Sequence, residues 1–146
     1  MTPERKAFAL VCDDLMHSLT GKVSLSGVYV QDIVIPGPAL LLNQLVFFFT
    51  VETPREKPFQ SLTFKVSLPG NPPREQSVPI VVNEMSIGDP RRKRITFRQA
   101  MLLQQVVLMP GRIETSVIHE EGELDAGGIW IMTFEELNAA GGQQPQ

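Results

Sequence analysis

The stretch ALVCDDLMHS brings together four side chains that could do chemistry: Cys12, Asp13, Asp14 and His17. A cysteine nucleophile needs a histidine base that a third group orients. Carboxylates and imidazoles together could instead bind a metal ion. The only other histidine, His119, would have to reach this stretch through the fold. The residue types therefore allow either a hydrolase or a metal site here.

A structural interpretation explains the same residues without chemistry. In a strand Phe8 and Cys12 share a face, and a free cysteine on an apolar face usually behaves as a small buried hydrophobe. Asp14 could then cap a short helical segment, LMHSLTG, which Gly21 would end. No nucleophile motif surrounds Cys12. We therefore predict that the protein is not an enzyme, and that it has no catalytic residue, metal or cofactor.

The run RRKR, which comprises Arg91, Arg92, Lys93 and Arg94, is the strongest charge cluster. Such runs can contact phosphate backbones, so nucleic-acid binding is an alternative function. The net charge is −3, however, and no aromatic residues are interleaved with the run. The pattern therefore favours a solvated turn, and nucleic acid is not the expected partner.

The elements that must position these residues are mostly strands. Twelve prolines are scattered through the chain, and short runs rich in Val, Ile, Phe and Thr lie between them. Leu62, Phe64, Val66 and Leu68 alternate with polar residues, which is the period of a half-buried strand. This rhythm predicts an all-β fold: a two-layer antiparallel β-sandwich, Ig-like, with seven to nine strands and at most one short helix.

The domain is expected to span residues 1–137, with a flexible tail over 138–146. Residues 98–109 are ambiguous, because Ala100, Leu103 and Val107 would also line a helix face. The β-like neighbours favour an extended segment. A lone cysteine makes no internal disulfide, and no signal or membrane-spanning run is present, so we predict a cytoplasmic protein.

Two predicted strands are apolar on both faces. In QLVFFFTV the second face carries Val46 and Phe48, and in GIWIMTF it carries Trp130, Met132 and Phe134. A soluble monomer rarely exposes a large apolar patch. Either loops cover these faces, or they form an interface with a protein partner, most simply a second copy in a homodimer. Exposed aromatic residues would also suit a carbohydrate-binding module, which is a further alternative.

The N-terminal segment FALVCDDLMHSLTGKVSLSGVYVQDIVIP resembles a family of small uncharacterised proteins from bacteria and phages. The similarity rests on an N-terminal Cys-Asp-Asp pattern followed by Gly-Lys-x-Ser-Leu-x-Gly-Val-Tyr and Asp-Ile. The matching residues are Cys12, Asp13, Asp14, Gly21, Lys22, Ser24, Leu25, Gly27, Val28, Tyr29, Asp32 and Ile33. The family has no established activity, so the resemblance implies a fold and leaves the biological role unknown. The overall prediction is a non-enzymatic protein that acts through protein–protein interaction or self-assembly.

Overall fold

The computed structural model describes residues 4–80 and 91–141, which form nine strands and one helix. The strands are β1 (Lys6–His17), β2 (Val23–Val28), β3 (Ile33–Ile35), β4 (Leu40–Pro54), β5 (Leu62–Ser67), β6 (Arg74–Val78), β7 (Arg94–Leu108), β8 (Gly111–His119) and β9 (Gly122–Thr133). The helix is α1 (Phe134–Gly141).

Two sheets make up the fold. One has four strands in the order β2-β1-β4-β7, and the other has five in the order β3-β9-β8-β5-β6. Every neighbouring pair is antiparallel except β3 and β9, which are parallel. The all-β sandwich prediction is therefore confirmed. The expectation of purely antiparallel sheets is wrong at one edge, because the connection after β2 returns the chain alongside β9.

The core lies between the sheets and follows the predicted alternation. The buried face of β4 carries Leu45, Phe47, Phe49 and Val51, all fully buried. The alternating residues of β5 face them from the other sheet, and the rings of Phe49 and Phe64 lie 4.9 Å apart. Packed aromatic pairs of this kind stabilise a core beyond the area that they bury. Residues 98–109 lie within β7 apart from Met109, so the extended prediction is confirmed.

The four-stranded sheet has a crease where its strands change their alternation. The β1–β2 pairing skips Asp13 and Gly27, and the β4–β7 pairing skips Asn43 and Gln105. The register is the same on both sides of each break, so no residue is inserted. Instead Gly27 (φ +69°) and Gln105 (φ +53°) adopt left-handed conformations, which turn the following side chains to the other face.

The end of β1 corrects one prediction. Residues 15–17 continue the strand and pair with β2 as far as His17 and Val23, so the predicted helical segment does not form. A tight turn follows, in which Ser18 N donates to Lys22 O and Gly21 (φ +83°) supplies the left-handed residue. β1 pairs with β4 only as far as Cys12, and residues 13–27 beyond that pairing are called the projecting hairpin here.

The C-terminal end of β9 differs from the expected strand. Phe134 begins α1 instead of ending β9, since the Thr133 hydroxyl accepts a hydrogen bond from Glu136 N at 3.0 Å. The sequence Thr-x-x-Glu is a helix-start signal, and the acidic first turn suits the helix dipole. The helix continues through Gly141, past the point where a tail was expected. Residues 142–146 lie outside the described residues.

Candidate binding surfaces

A groove crosses the outer face of the four-stranded sheet. It has a volume of about 780 Å³ and runs between the projecting hairpin and the surfaces of β4 and β7. The crease explains its lining, because beyond Asp13 the odd-numbered residues of β1 turn towards this face. The apolar residues that line the groove are Leu15, Val23, Leu25, Phe48, Ala100 and Leu102. His17 and Arg98 are the titratable or charged ones.

The exposed apolar side chains are concentrated on this part of the molecule. Of the fourteen large hydrophobic residues exposed in the described chain, nine belong to the four-stranded sheet or the tip of its hairpin: Phe8, Leu10, Met16, Leu19, Val23, Val28, Leu41, Leu102 and Val107. The five-stranded sheet contributes only Trp130 to the same set. The sheet that carries the groove is therefore the more apolar surface.

The five residues predicted to form an interface are divided by the fold. Val46 is fully buried beside Cys12 within the chain, so it offers no surface to a partner. Phe48 is partly buried and lines the groove. Trp130 and Phe134 are about half exposed, and Met132 is partly buried against β3. Phe48 and Trp130 thus lie on different sheets.

A second cleft, of about 270 Å³, opens between the two sheets where β1 passes β8 and β9. Its polar or aromatic lining comes from two places. The segment after β2 contributes Tyr29, Gln31 and Asp32, and the five-stranded sheet contributes Arg112, Thr115 and Trp130. The sequence contains one tyrosine and one tryptophan, and both line this cleft. The pattern of the sequence did not connect them, because about a hundred residues separate the two.

Tyr29 is fixed in place at this cleft. Its hydroxyl donates to Asp13 Oδ1 at 2.9 Å, and its backbone N donates to Val11 O at 2.9 Å. Burial, the hydrogen bond to Asp13 and the negative charge of that carboxylate together raise the pKa of Tyr29 to about 12. Its phenol therefore stays protonated, and Asp13 acts as a structural acceptor.

The candidate residues Cys12, Asp13, Asp14 and His17 all lie in the second half of β1. Cys12 is fully buried, and its Sγ donates to Asp14 O at 3.5 Å. Burial raises the pKa of the Cys12 thiol, which opposes formation of a thiolate nucleophile. His17 belongs to the projecting hairpin, whereas His119 ends β8 in the other sheet. Within residues 4–80 and 91–141, no three Cys, His, Asp or Glu side chains come together as metal ligands would.

Sequence reasoning missed a polar cluster around Arg5. The Arg5 side chain is almost entirely buried and pairs with Glu120. It also donates to Thr53 Oγ1 and to the backbone oxygens of Lys57 and Pro58, and its guanidinium lies 4.5 Å from the centre of the Phe59 ring. An arginine near the chain start gave no signal, since only the fold brings these partners to it.

His119 and Glu120 have shifted pKa values in this cluster. Burial and the nearby charge of Arg5 lower the pKa of His119, so its Nδ1 can accept from Arg5 at 2.9 Å. Burial alone would raise the pKa of Glu120. Hydrogen bonds from Gln60 N, its own backbone N and Arg5 outweigh that effect and lower it to about 2. The cluster links Arg5, just before β1, to the turn between β8 and β9, and so stabilises the fold.

The basic run lies at the start of β7. Arg91, Arg92 and Lys93 are exposed, as a solvated turn predicts. Arg94 is half-buried and donates to Glu4 O at 2.6 Å. Its Nε lies 3.5 Å from Glu52 Oε2, within ion-pair distance but without hydrogen-bond geometry. Arg94 is therefore committed to contacts within the chain.

Comparison of the sequence with known proteins does not assign the chain to a family. No protein-family model matches the chain, and a search of curated proteins found no similar sequence. The resemblance of the N-terminal pattern thus stays a prediction. In the part of the chain that the structure describes, no helix is long and apolar enough to cross a membrane.

Proposed function

We propose that the chain is a non-enzymatic β-sandwich protein that acts through protein–protein contact, and that its groove binds a second copy of the chain. The observation that carries this proposal is the concentration of exposed apolar side chains on the four-stranded sheet and its hairpin. An open apolar surface of this kind is typical of interaction sites.

The projecting hairpin favours a second copy as the occupant. Its tip exposes Met16 and Leu19, and the latter is fully accessible to solvent. Between Leu15 and Leu25 the hairpin carries no acidic residue, and its only lysine or arginine is Lys22. A two-fold axis would let the hairpin of each copy lie in the groove of the other, so that one apolar surface matches itself. The protruding element and the groove that could receive it are thus on the same chain.

Light scattering coupled to size exclusion tests self-association at micromolar concentrations. We expect the wild type to be dimeric and Leu102→Glu to raise the Kd at least about tenfold, which is about 1.4 kcal/mol, because a carboxylate would be buried without a partner. Leu102 is half exposed in the single chain, so the variant should fold.

Trp130→Glu is the matched control, since it places the same charge on the opposite sheet. It should leave the dimer intact. A wild type that stays monomeric overturns the proposal. Dissociation by Trp130→Glu but not by Leu102→Glu would move the interface to the five-stranded sheet.

A further inference from the structure

We propose that the cleft lined by Tyr29 and Trp130 binds a neutral carbohydrate ring. This site is distinct from the groove, and it does not depend on self-association. The cleft lies between β1 and the β8–β9 pair, and apolar side chains such as Val11 and Ile113 form part of its lining. Its size is near the lower end for small-molecule sites, roughly 300 Å³, so it suits one sugar ring whose neighbours extend into solvent.

Two aromatic rings give the cleft its platform. Trp130 is about half exposed, and Tyr29 is held by its hydrogen bond to Asp13. Because that bond uses the phenolic proton, Tyr29 offers mainly its ring to a ligand. An aromatic ring with a fixed orientation, as Tyr29 has, provides apolar contact area at low entropic cost, and the Trp130 ring adds further area. They suit a ligand with one apolar face, such as a pyranose.

Arg112 lines the cleft with an exposed side chain. A Cβ added to Gly128 would lie 2.7 Å from Arg112 Nε and 2.6 Å from Ile113 O, so the guanidinium packs where only glycine leaves room. Trp130 stands opposite Arg112 in the β8–β9 pairing. Throughout the described residues, the side chain of Arg112 makes no hydrogen bond or ion pair. Its five N–H donors remain available to a ligand.

The charges in the cleft favour a neutral ligand. Asp32 and Gln31 also line it, and neither makes a hydrogen bond within the described part of the chain. One arginine and one aspartate cancel, so the lining has no net charge to select an ion. It offers donors from Arg112 and Gln31 and acceptors from Asp32 and Gln31. Sugar hydroxyls require both kinds of group, whereas a phosphate or carboxylate would use only the donors and be repelled by Asp32.

The test uses an array of neutral glycans together with fluorescence titration of Trp130, the only tryptophan in the chain. At least one neutral oligosaccharide should bind and change the emission saturably. Arg112→Met, which keeps most of the aliphatic stem, and Asp32→Asn should each weaken binding about tenfold or more. Lys65→Met is the matched control, because Lys65 lies on the same sheet but outside this cleft.

Three outcomes would overturn the proposal. The first is that no neutral glycan binds or changes the emission. The second is that glucuronate or inorganic phosphate binds better than neutral sugars, which would make the cleft an anion site. The third is that Arg112→Met and Asp32→Asn bind as the wild type does. Leu102→Glu should bind the glycan normally, so failure of the self-association proposal would be distinguishable.

Discussion

At the scale of single residues, the most constrained polar groups belong to the Arg5 cluster. Arg5 forms an ion pair with Glu120 and donates a hydrogen bond to the His119 ring, and its guanidinium lies over the aromatic ring of Phe59. Hydrogen bonds to charged groups are stronger than those between neutral groups when both partners are sheltered from water. The cluster should therefore make stability depend on pH.

We predict that the free energy of unfolding decreases as the medium becomes acidic. The pKa of His119 in the folded protein lies below its ordinary value of 6.5. As pH falls below 6.5, the unfolded chain therefore binds a proton before the folded protein does, which lowers the free energy of unfolding. The folded pKa of Glu120 is about 2 against an ordinary 4.5. The stability that it contributes is thus complete above pH 4.5 and is lost as pH falls towards 2.

Urea unfolding over this pH range checks the prediction with a charge-matched pair of variants. Glu120→Gln should cost about 1–2 kcal/mol at neutral pH and flatten the dependence below pH 4.5, because it loses a charge-assisted hydrogen bond. Glu121→Gln should resemble the wild type, since the exposed pair of Glu121 with Lys57 is screened by solvent. Equal slopes for Glu120→Gln and wild type would assign the acid sensitivity to other groups.

At the scale of elements, the crease decides what the four-stranded sheet presents to solvent. A regular β1 would direct Leu15 and His17 towards the side of the sheet that faces the other layer. The left-handed Gly27, opposite Asp13, allows the change of face that brings them to the groove instead. Gln44 secures the same region by donating to Asp13 O and to Asp14 Oδ1.

Gly27→Ala should destabilise the protein by about 2–3 kcal/mol. Part of this is the cost of a left-handed alanine, and part is collision of the new Cβ with the Asp13 carboxylate. Gly21→Ala is the control: it is also left-handed, but its Cβ would meet nothing within 4 Å, so about 1 kcal/mol is expected.

A double-mutant cycle measured by urea unfolding separates the two causes of the Gly27→Ala destabilisation, which are backbone strain and collision with Asp13. Asp13→Ala should cost less in the Gly27→Ala background than alone, because it also removes the collision. Additive effects of the two substitutions would mean that the Asp13 side chain moves aside without cost and that only backbone strain matters.

At the scale of the whole molecule, the two apolar faces of β4 have different surroundings. The inner face of β4 is fully buried and includes the Phe49–Phe64 contact between the sheets. The outer face includes Phe48, which is only partly buried at the groove. Neighbouring phenylalanines therefore report on the core and on the proposed interface.

Phe49→Ala should cost about 3–5 kcal/mol in the free energy of unfolding, since it leaves a cavity between the sheets. Phe48→Ala should cost clearly less for the isolated chain, and should instead weaken self-association. Urea unfolding of both variants at a concentration below the dimer Kd makes the comparison. Equal losses would show that the groove face is as much a part of the core as the inner face.

The sequence by itself determined the fold class and most of the inner face. Alternation in Leu62–Leu68 and Leu45–Val51 predicted two buried strand faces, because period two is a local property of an extended chain. The β-like segments on either side of residues 98–109 predicted that this stretch is extended, as it is in β7. The Thr-x-x-Glu pattern that begins at Thr133 is also a local signal, and it indicates the start of α1.

Only the tertiary structure decided which distant side chains meet. Arg5 reaches Glu120, and Tyr29 shares a cleft with Trp130, through contacts between strands far apart in the chain. The burial of Val46 depends on the point at which β1 leaves β4. The lining of the groove depends on the left-handed residues at the crease. Periodicity describes each strand alone, whereas surfaces and clefts are set by the register and packing between strands.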